Sequence, residues 1–112
     1  MSARRVISMD VTGLAPGSLR AIEADGRRIL VCNAAGRFYA LENRCPHIGV
    51  PLDGGRLEGT TLECPLHGGR LDVRDGSAQA LPIRKRALTF AVRAVAGGIE
   101  IDVSEEDTAC TT

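Results

Sequence analysis

An all-β chain with a loop-built insert on a strand scaffold is what the sequence predicts. Three features carry this: apolar runs of strand length, glycine-containing turns between them, and no segment with a long helical period. Positions 28–33 and 37–41 are apolar and aromatic runs joined by Ala34-Ala35-Gly36, and Asp25-Gly26 closes another turn after 18–23. This stretch reads as a meander of hairpins. Toward the other end Leu88, Phe90, Val92 and Ala94 alternate with Thr89, Ala91, Arg93 and Val95. Gly97-Gly98 then turns the chain into Ile99, Ile101 and Val103, alternating with Glu100 and Asp102, which gives a second hairpin with one buried face. Between the two β regions, 43–82 is rich in Gly and Pro and holds only short apolar pieces at 61–64 and 70–73. The expected organisation is one domain, with 1–42 and 83–103 as the base and 43–82 as the insert. A mobile tail over 104–112 carries Glu105, Glu106 and Asp107.

The whole-chain properties bound what such a domain does. At 112 residues and 44% apolar it buries one small core and leaves no room for a second, catalytic domain. Fourteen basic residues balance fourteen acidic ones, so there is no broad basic surface for a phosphate backbone, and nucleic acid is not an expected partner. Arg4 and Arg5 are followed by no apolar run long enough for a signal peptide, and no later run reaches membrane-spanning length. The expectation is a cytoplasmic protein without a membrane partner.

The insert contains Cys45-Pro46-His47, then sixteen residues, then Cys64-Pro65-Leu66-His67-Gly68-Gly69, and these are the two histidines of the chain. Thiolate and imidazole are soft or borderline donors suited to zinc or to iron-sulfur centres, and two short loops facing each other present four of them around a small volume. The candidate metal ligands are therefore Cys45, His47, Cys64 and His67, in preference to two disulfides. On ligand count alone a structural zinc site and a 2Fe-2S cluster both stand. In common zinc fingers, however, like ligands pair within one hairpin or helix. Here each loop gives one Cys and one His, a division that suits two irons with two ligands each. Cys32 lies in an apolar run and reads as a buried thiol acting as a small hydrophobe, and Cys110 as a thiol on the tail.

The stretches Cys45-Pro46-His47-Ile48-Gly49-Val50-Pro51-Leu52-Asp53-Gly54-Gly55 and Cys64-Pro65-Leu66-His67-Gly68-Gly69-Arg70-Leu71-Asp72 resemble the two cluster loops of the Rieske family. The resemblance is close over 43–82 and looser in the flanking strands. It implies the Rieske fold, an antiparallel β-sandwich base with a small cluster-binding subdomain, and one Rieske-type 2Fe-2S cluster. It also implies that Cys45 and Cys64 hold the inner iron while His47 and His67 hold the iron nearer the surface. Two ferric ions, two sulfides and two thiolates sum to zero charge, so such a centre accepts an electron more readily than an all-cysteine one. Members of respiratory and photosynthetic complexes carry an extra cysteine in each loop and hydroxyls toward the cluster. Here Val50 and Leu66 stand at the cysteine positions, and Gly69 and Leu71 at those of the serine and tyrosine. The expected potential therefore lies at the low end of the Rieske range. Leu71 also departs from the aromatic residue that related ferredoxins often have there.

What the resemblance implies in function is an electron-transfer protein, not an enzyme. It would pass single electrons from an NAD(P)H-dependent flavin ferredoxin reductase to a terminal oxygenase and bind no small-molecule substrate. The residues agree by subtraction. An oxygenase needs a further two-His-one-carboxylate iron, for which no histidine remains, and no G-x-G-x-x-G stretch opens a dinucleotide fold. Two alternatives stand beside it: a Rieske-like small subunit of a nitrite-reductase-type complex, and a structural zinc module that serves only as an interaction domain. Gly54, Gly55, Gly68 and Gly69 read as loop glycines permitting positive φ and close approach of backbone N–H groups to sulfides, or as ordinary turn glycines, with Pro46, Pro51, Pro65 and Pro82 as stiffeners. Ile48, Val50, Pro51 and Leu66 read either as an apolar rim around the histidine edges or as residues buried inside the small insert, and Arg84-Lys85-Arg86 as a basic run that is either a solvated strand edge or a steering element.

Overall fold

A computed structural model describes residues 6–24, 26–47, 49–65 and 68–103. The described chain is all β: β1 (Val6–Met9), β2 (Leu19–Ala24), β3 (Arg27–Ala34), β4 (Arg37–Glu42), β5 (Arg56–Glu58), β6 (Thr61–Glu63), β7 (Arg70–Asp72), β8 (Ala78–Ala80), β9 (Thr89–Val95) and β10 (Gly98–Asp102). No helix among the described residues is long and apolar enough to cross a membrane. Ile48, Leu66, His67, Asp25 and the expected tail at 104–112 lie outside the described residues, together with 1–5.

Both predicted hairpins form. β2, β3 and β4 pair in sequence as an antiparallel meander, with Ile29 opposite Ile22 and Val31 opposite Ala40. β9 and β10 pair with Ile99 opposite Ala94 and Ile101 opposite Val92. The hairpins join edge to edge through Ala40–Phe90 and Leu41–Thr89, giving one sheet in the order β1-β10-β9-β4-β3-β2. Strand β1, which no alternation in the sequence announced, closes that sheet by pairing with β10. The insert thus leaves the base at the end of β4 and returns beside it in β9.

Strand β3 organises the packing. Its run from Ile29 to Ala34 is buried without interruption, the pattern of a strand covered on both faces. Ile29 and Val31 join Ala40, Phe90, Ile99, Ile101 and Val103 in one core. Leu30, Cys32 and Ala34 join Leu52, Leu57, Leu62, Leu71 and Ile83 in a second. The first core belongs to the base, and the second bonds the base to the insert. Cys32 is fully buried in that second core, as its apolar setting predicted, and burial pushes its thiol up to about 12.

The insert carries more regular structure than its composition announces. Strands β5 to β8 form a four-stranded antiparallel meander, each strand three residues long. Such strands are too short to show a period. Only Leu57, Leu62 and Leu71, one per strand in β5 to β7, are buried hydrophobic residues of this sheet.

Candidate metal centre

The stretches that begin at Cys45 and Cys64 are closed by the same kind of backbone hydrogen bond. In the first, the Cys45 amide donates to the Val50 carbonyl at 2.7 Å and the Gly49 amide donates back to the Cys45 carbonyl at 2.8 Å. In the second, the Cys64 amide donates to the Gly69 carbonyl at 2.7 Å. Each cysteine therefore anchors the base of a backbone-closed loop, and the sequence places one histidine between the closing residues of each. Cys45 and Cys64 are 1% and 3% exposed and rest on the same apolar bed as Leu52, Leu62, Leu71 and Ile83. His47, further round its loop, is exposed. His67 lies outside the described residues.

The loops are held against each other by contacts that tolerate no side chain. A Cβ added at Gly55 would lie 2.1 Å from the Glu63 carbonyl oxygen and 3.0 Å from that of Leu52. Glu63 directly precedes Cys64, so the return of the first loop presses on the entry of the second. Gly54, its neighbour, meets only Pro65 of the second loop, at 3.9 Å. At Gly69 a Cβ would fall 2.7 Å from Ile83 Cγ1, because Ile83 fills the space a side chain would take.

A residue that sequence reasoning missed fixes the first loop. Asn43 is 7% exposed, and its Oδ1 accepts from the backbone amides of Leu52, at 2.7 Å, and Asp53, at 3.1 Å. Its Nδ2 donates to Asp53 Oδ1 at 3.2 Å, while its own amide donates to the Arg28 carbonyl at 3.0 Å. One buried amide thus ties both ends of the loop to β3. Its only signal in the sequence is an asparagine two residues before Cys45, which ordinary turn chemistry explains as well. The second loop continues into a comparable brace. Asp72 Oδ1 accepts from the Arg74 amide at 2.9 Å, and Oδ2 from Arg74 Nη2 at 2.7 Å. These hydrogen bonds hold the Asp72 carboxyl below its ordinary value although burial acts against them.

Among the described residues no three His, Cys, Asp or Glu side chains gather into a group for a single metal ion. What fits a metal cofactor here is the donor chemistry and its layering: two cysteines on the buried side, none of the described cysteines in a disulfide, and an imidazole on the solvent side. The residues read as an apolar rim or as buried divide in the structure. Val50 packs partly buried against the insert core, Pro51 is exposed, and Ile48 and Leu66 lie outside the described residues.

Comparison with known proteins gives one answer throughout. The family profile described as the Rieske [2Fe-2S] domain matches residues 5–95. The ferredoxin component of biphenyl 2,3-dioxygenase from Rhodococcus jostii (strain RHA1) is 38% identical over 90 residues, covering 80% of this chain and 84% of that protein. The 3-phenylpropionate/cinnamic acid dioxygenase ferredoxin subunit of Escherichia coli O9:H4 is 37% identical over 78 residues, 69% of this chain and 74% of the relative. Among solved structures, the ferredoxin of carbazole 1,9a-dioxygenase from Nocardioides aromaticivorans IC177 superposes with a TM-score of 0.79 at 31% identity, over 90% of this chain and 96% of that one. A structure titled as a complex of reduced oxygenase and oxidized ferredoxin in carbazole 1,9a-dioxygenase matches with a TM-score of 0.81 at 27% identity, over 87% and 92% of the two chains.

Proposed function

The chain belongs to the Rieske [2Fe-2S] domain family, and on that premise we propose that it is a one-electron carrier of a multicomponent oxygenase system. Its ligands in this reading are Cys45, His47, Cys64 and His67. The observation that carries the reading is the layering of the first loop: Cys45 is buried at its base and His47 exposed along it. A redox group held that way is insulated on the thiolate side and reachable on the imidazole side, which is the requirement for transfer between proteins without a substrate pocket.

When bound, a Rieske cluster supplies a reversible one-electron couple. The chain's own part is to hold the loops and exclude water from the cysteine side. Asn43 fixes the path of the first loop, the Gly55–Glu63 approach sets the spacing between the two, and the apolar bed of Leu52, Leu62, Leu71 and Ile83 seals the inner face. The electron donor in this reading is an NAD(P)H-dependent flavin reductase and the acceptor a terminal oxygenase, with the carrier in the cytoplasm beside its NAD(P)H source. The relatives named for biphenyl and for 3-phenylpropionate/cinnamic acid dioxygenase support an aromatic-ring oxygenase as that acceptor.

The positions that carry hydroxyl donors in respiratory members are closed to them here. Leu71 is fully buried in the insert core, and Ile83 occupies the space beside Gly69. With those donors missing, the reduced state receives less stabilisation. A redox titration is expected to give one reversible one-electron step in the lower half of the roughly −150 to +300 mV Rieske range. A midpoint in the upper half of that range contradicts the assignment of Gly69 and Leu71, and no step in the range contradicts the carrier reading itself.

A further inference from the structure

From the charge around the exposed His47 we infer that this carrier docks on its redox partner through a basic ledge, formed by Arg44, Arg84, Lys85 and Arg86, which receives an acidic rim on the partner protein. The inference rests on the carrier reading and adds to it the chemistry of the partner surface. Two adjoining grooves flank His47. One, of about 480 Å³, is lined by Arg44, His47, Lys85 and Arg86 with Glu42. The other, of about 330 Å³, is lined by Pro46, His47, Pro82, Arg84 and Lys85.

All four cations are exposed, and none is in an ion pair among the described residues. That distinguishes them from Arg28, Arg56, Arg74 and Arg93, whose charges are each matched by a neighbouring carboxylate. Two carboxylates face the ledge: Glu42 in the larger groove and Asp75, which feels Arg86 weakly and is already committed to hydrogen bonds from Ser77. Among the described residues, four cations against these two carboxylates leave the ledge itself positive in a chain whose total charge is zero. With no net charge to steer the whole molecule, the local field beside His47 decides orientation on approach. Pro46 and Pro82 supply apolar contact inside the charged rim, the usual layout of a transient protein interface.

The test uses two haem proteins as stand-in acceptors, the acidic cytochrome b5 and the basic cytochrome c, with the reduced holoprotein as donor. For the unaltered protein, the transfer rate to cytochrome b5 is expected to fall roughly tenfold or more between about 10 and 300 mM salt, and the rate to cytochrome c to rise. Arg84→Glu/Lys85→Glu reverses both responses, and Arg84→Gln/Lys85→Gln, which adds no charge, lies between. Calorimetric binding of oxidised cytochrome b5 at low salt follows the same order. Equal salt responses toward the two acceptors, or a charge-reversed variant with intact visible spectrum and unchanged rates, overturns the ledge and leaves the carrier standing. Absence of transfer to either acceptor overturns both.

Discussion

Cys64→Ala is expected to yield a protein without bound iron and with a loosened insert. Cys64 is 3% exposed, opens the second loop through the hydrogen bond its amide donates to the Gly69 carbonyl, and lies on the bed shared with Cys45. In the proposed ligand set, removing its sulfur takes away one of four ligands, and a group that binds only the folded insert contributes its binding free energy to that fold. The effect is therefore far larger than the truncation itself. Cys32→Ala is the matched control. It removes a sulfur from the same core, at 0% exposure, from a thiol that burial keeps protonated. Cys32 lies in strand β3, outside both Cys-His loops and outside the proposed ligand set, so this variant is expected to keep its iron and to lose only about 1 kcal/mol for the small cavity. Iron content and visible spectra of the two variants check the pair. Full iron in Cys64→Ala, or loss of iron in Cys32→Ala, means the ligand cysteines are wrongly assigned.

Gly55→Ala is expected to be nearly as damaging, although the residue binds nothing. The added methyl would stand 2.1 Å from the Glu63 carbonyl and 3.0 Å from that of Leu52, so two backbone segments, not a flexible side chain, have to move. Overpacking of this kind costs about 1–3 kcal/mol. For a domain of this size that corresponds to a fall in Tm of roughly 4–8 °C per kcal/mol. Because the displaced segments carry the two ligand loops, faster loss of iron to a chelator accompanies the lower Tm. Gly54→Ala, one residue away, meets only Pro65 at 3.9 Å and is expected to behave like the parent. Thermal melts and chelator challenge on the two variants test this, and equal behaviour of both removes the claim that the Gly55 approach sets the loop spacing.

The glycine pair also shows how far the sequence could be read. Adjacent Gly54 and Gly55 both announce a loop, but which of them admits no side chain depends on Glu63, a partner eight positions away that only the folded register identifies. The hairpins β2 to β4 and β9 to β10 were legible because alternation and turn residues are local properties. Their edge-to-edge junction rests on two residue pairs, Ala40–Phe90 and Leu41–Thr89, and β1 adds itself through a partner ninety-odd positions distant; neither leaves a local mark. The unbroken burial of β3 was visible as an apolar run, and the second covering layer that explains it, the insert, was not. The proposed ligands Cys45, His47, Cys64 and His67 rest on donor chemistry and spacing, to which the fold adds the shared buried bed of the two cysteines and the exposure of His47. Asn43 was missed because its role lies in the amide contacts it makes to Leu52 and Asp53 across the loop, not in any pattern around it. The basic run at 84–86, ambiguous in the sequence between a solvated strand edge and a steering element, lies in the connection between β8 and β9, beside His47 and Arg44.

The most direct test of the central claim is an electron paramagnetic resonance spectrum of the dithionite-reduced protein, with iron and zinc analysis of material purified without oxygen. Two irons per chain are expected, with a rhombic signal whose mean g value lies below that of all-cysteine 2Fe-2S clusters, because histidines replace two of the thiolates on one iron. A silent spectrum with one zinc per chain would contradict it, leaving Cys45, His47, Cys64 and His67 as ligands of a structural ion and removing electron transfer from the protein's function.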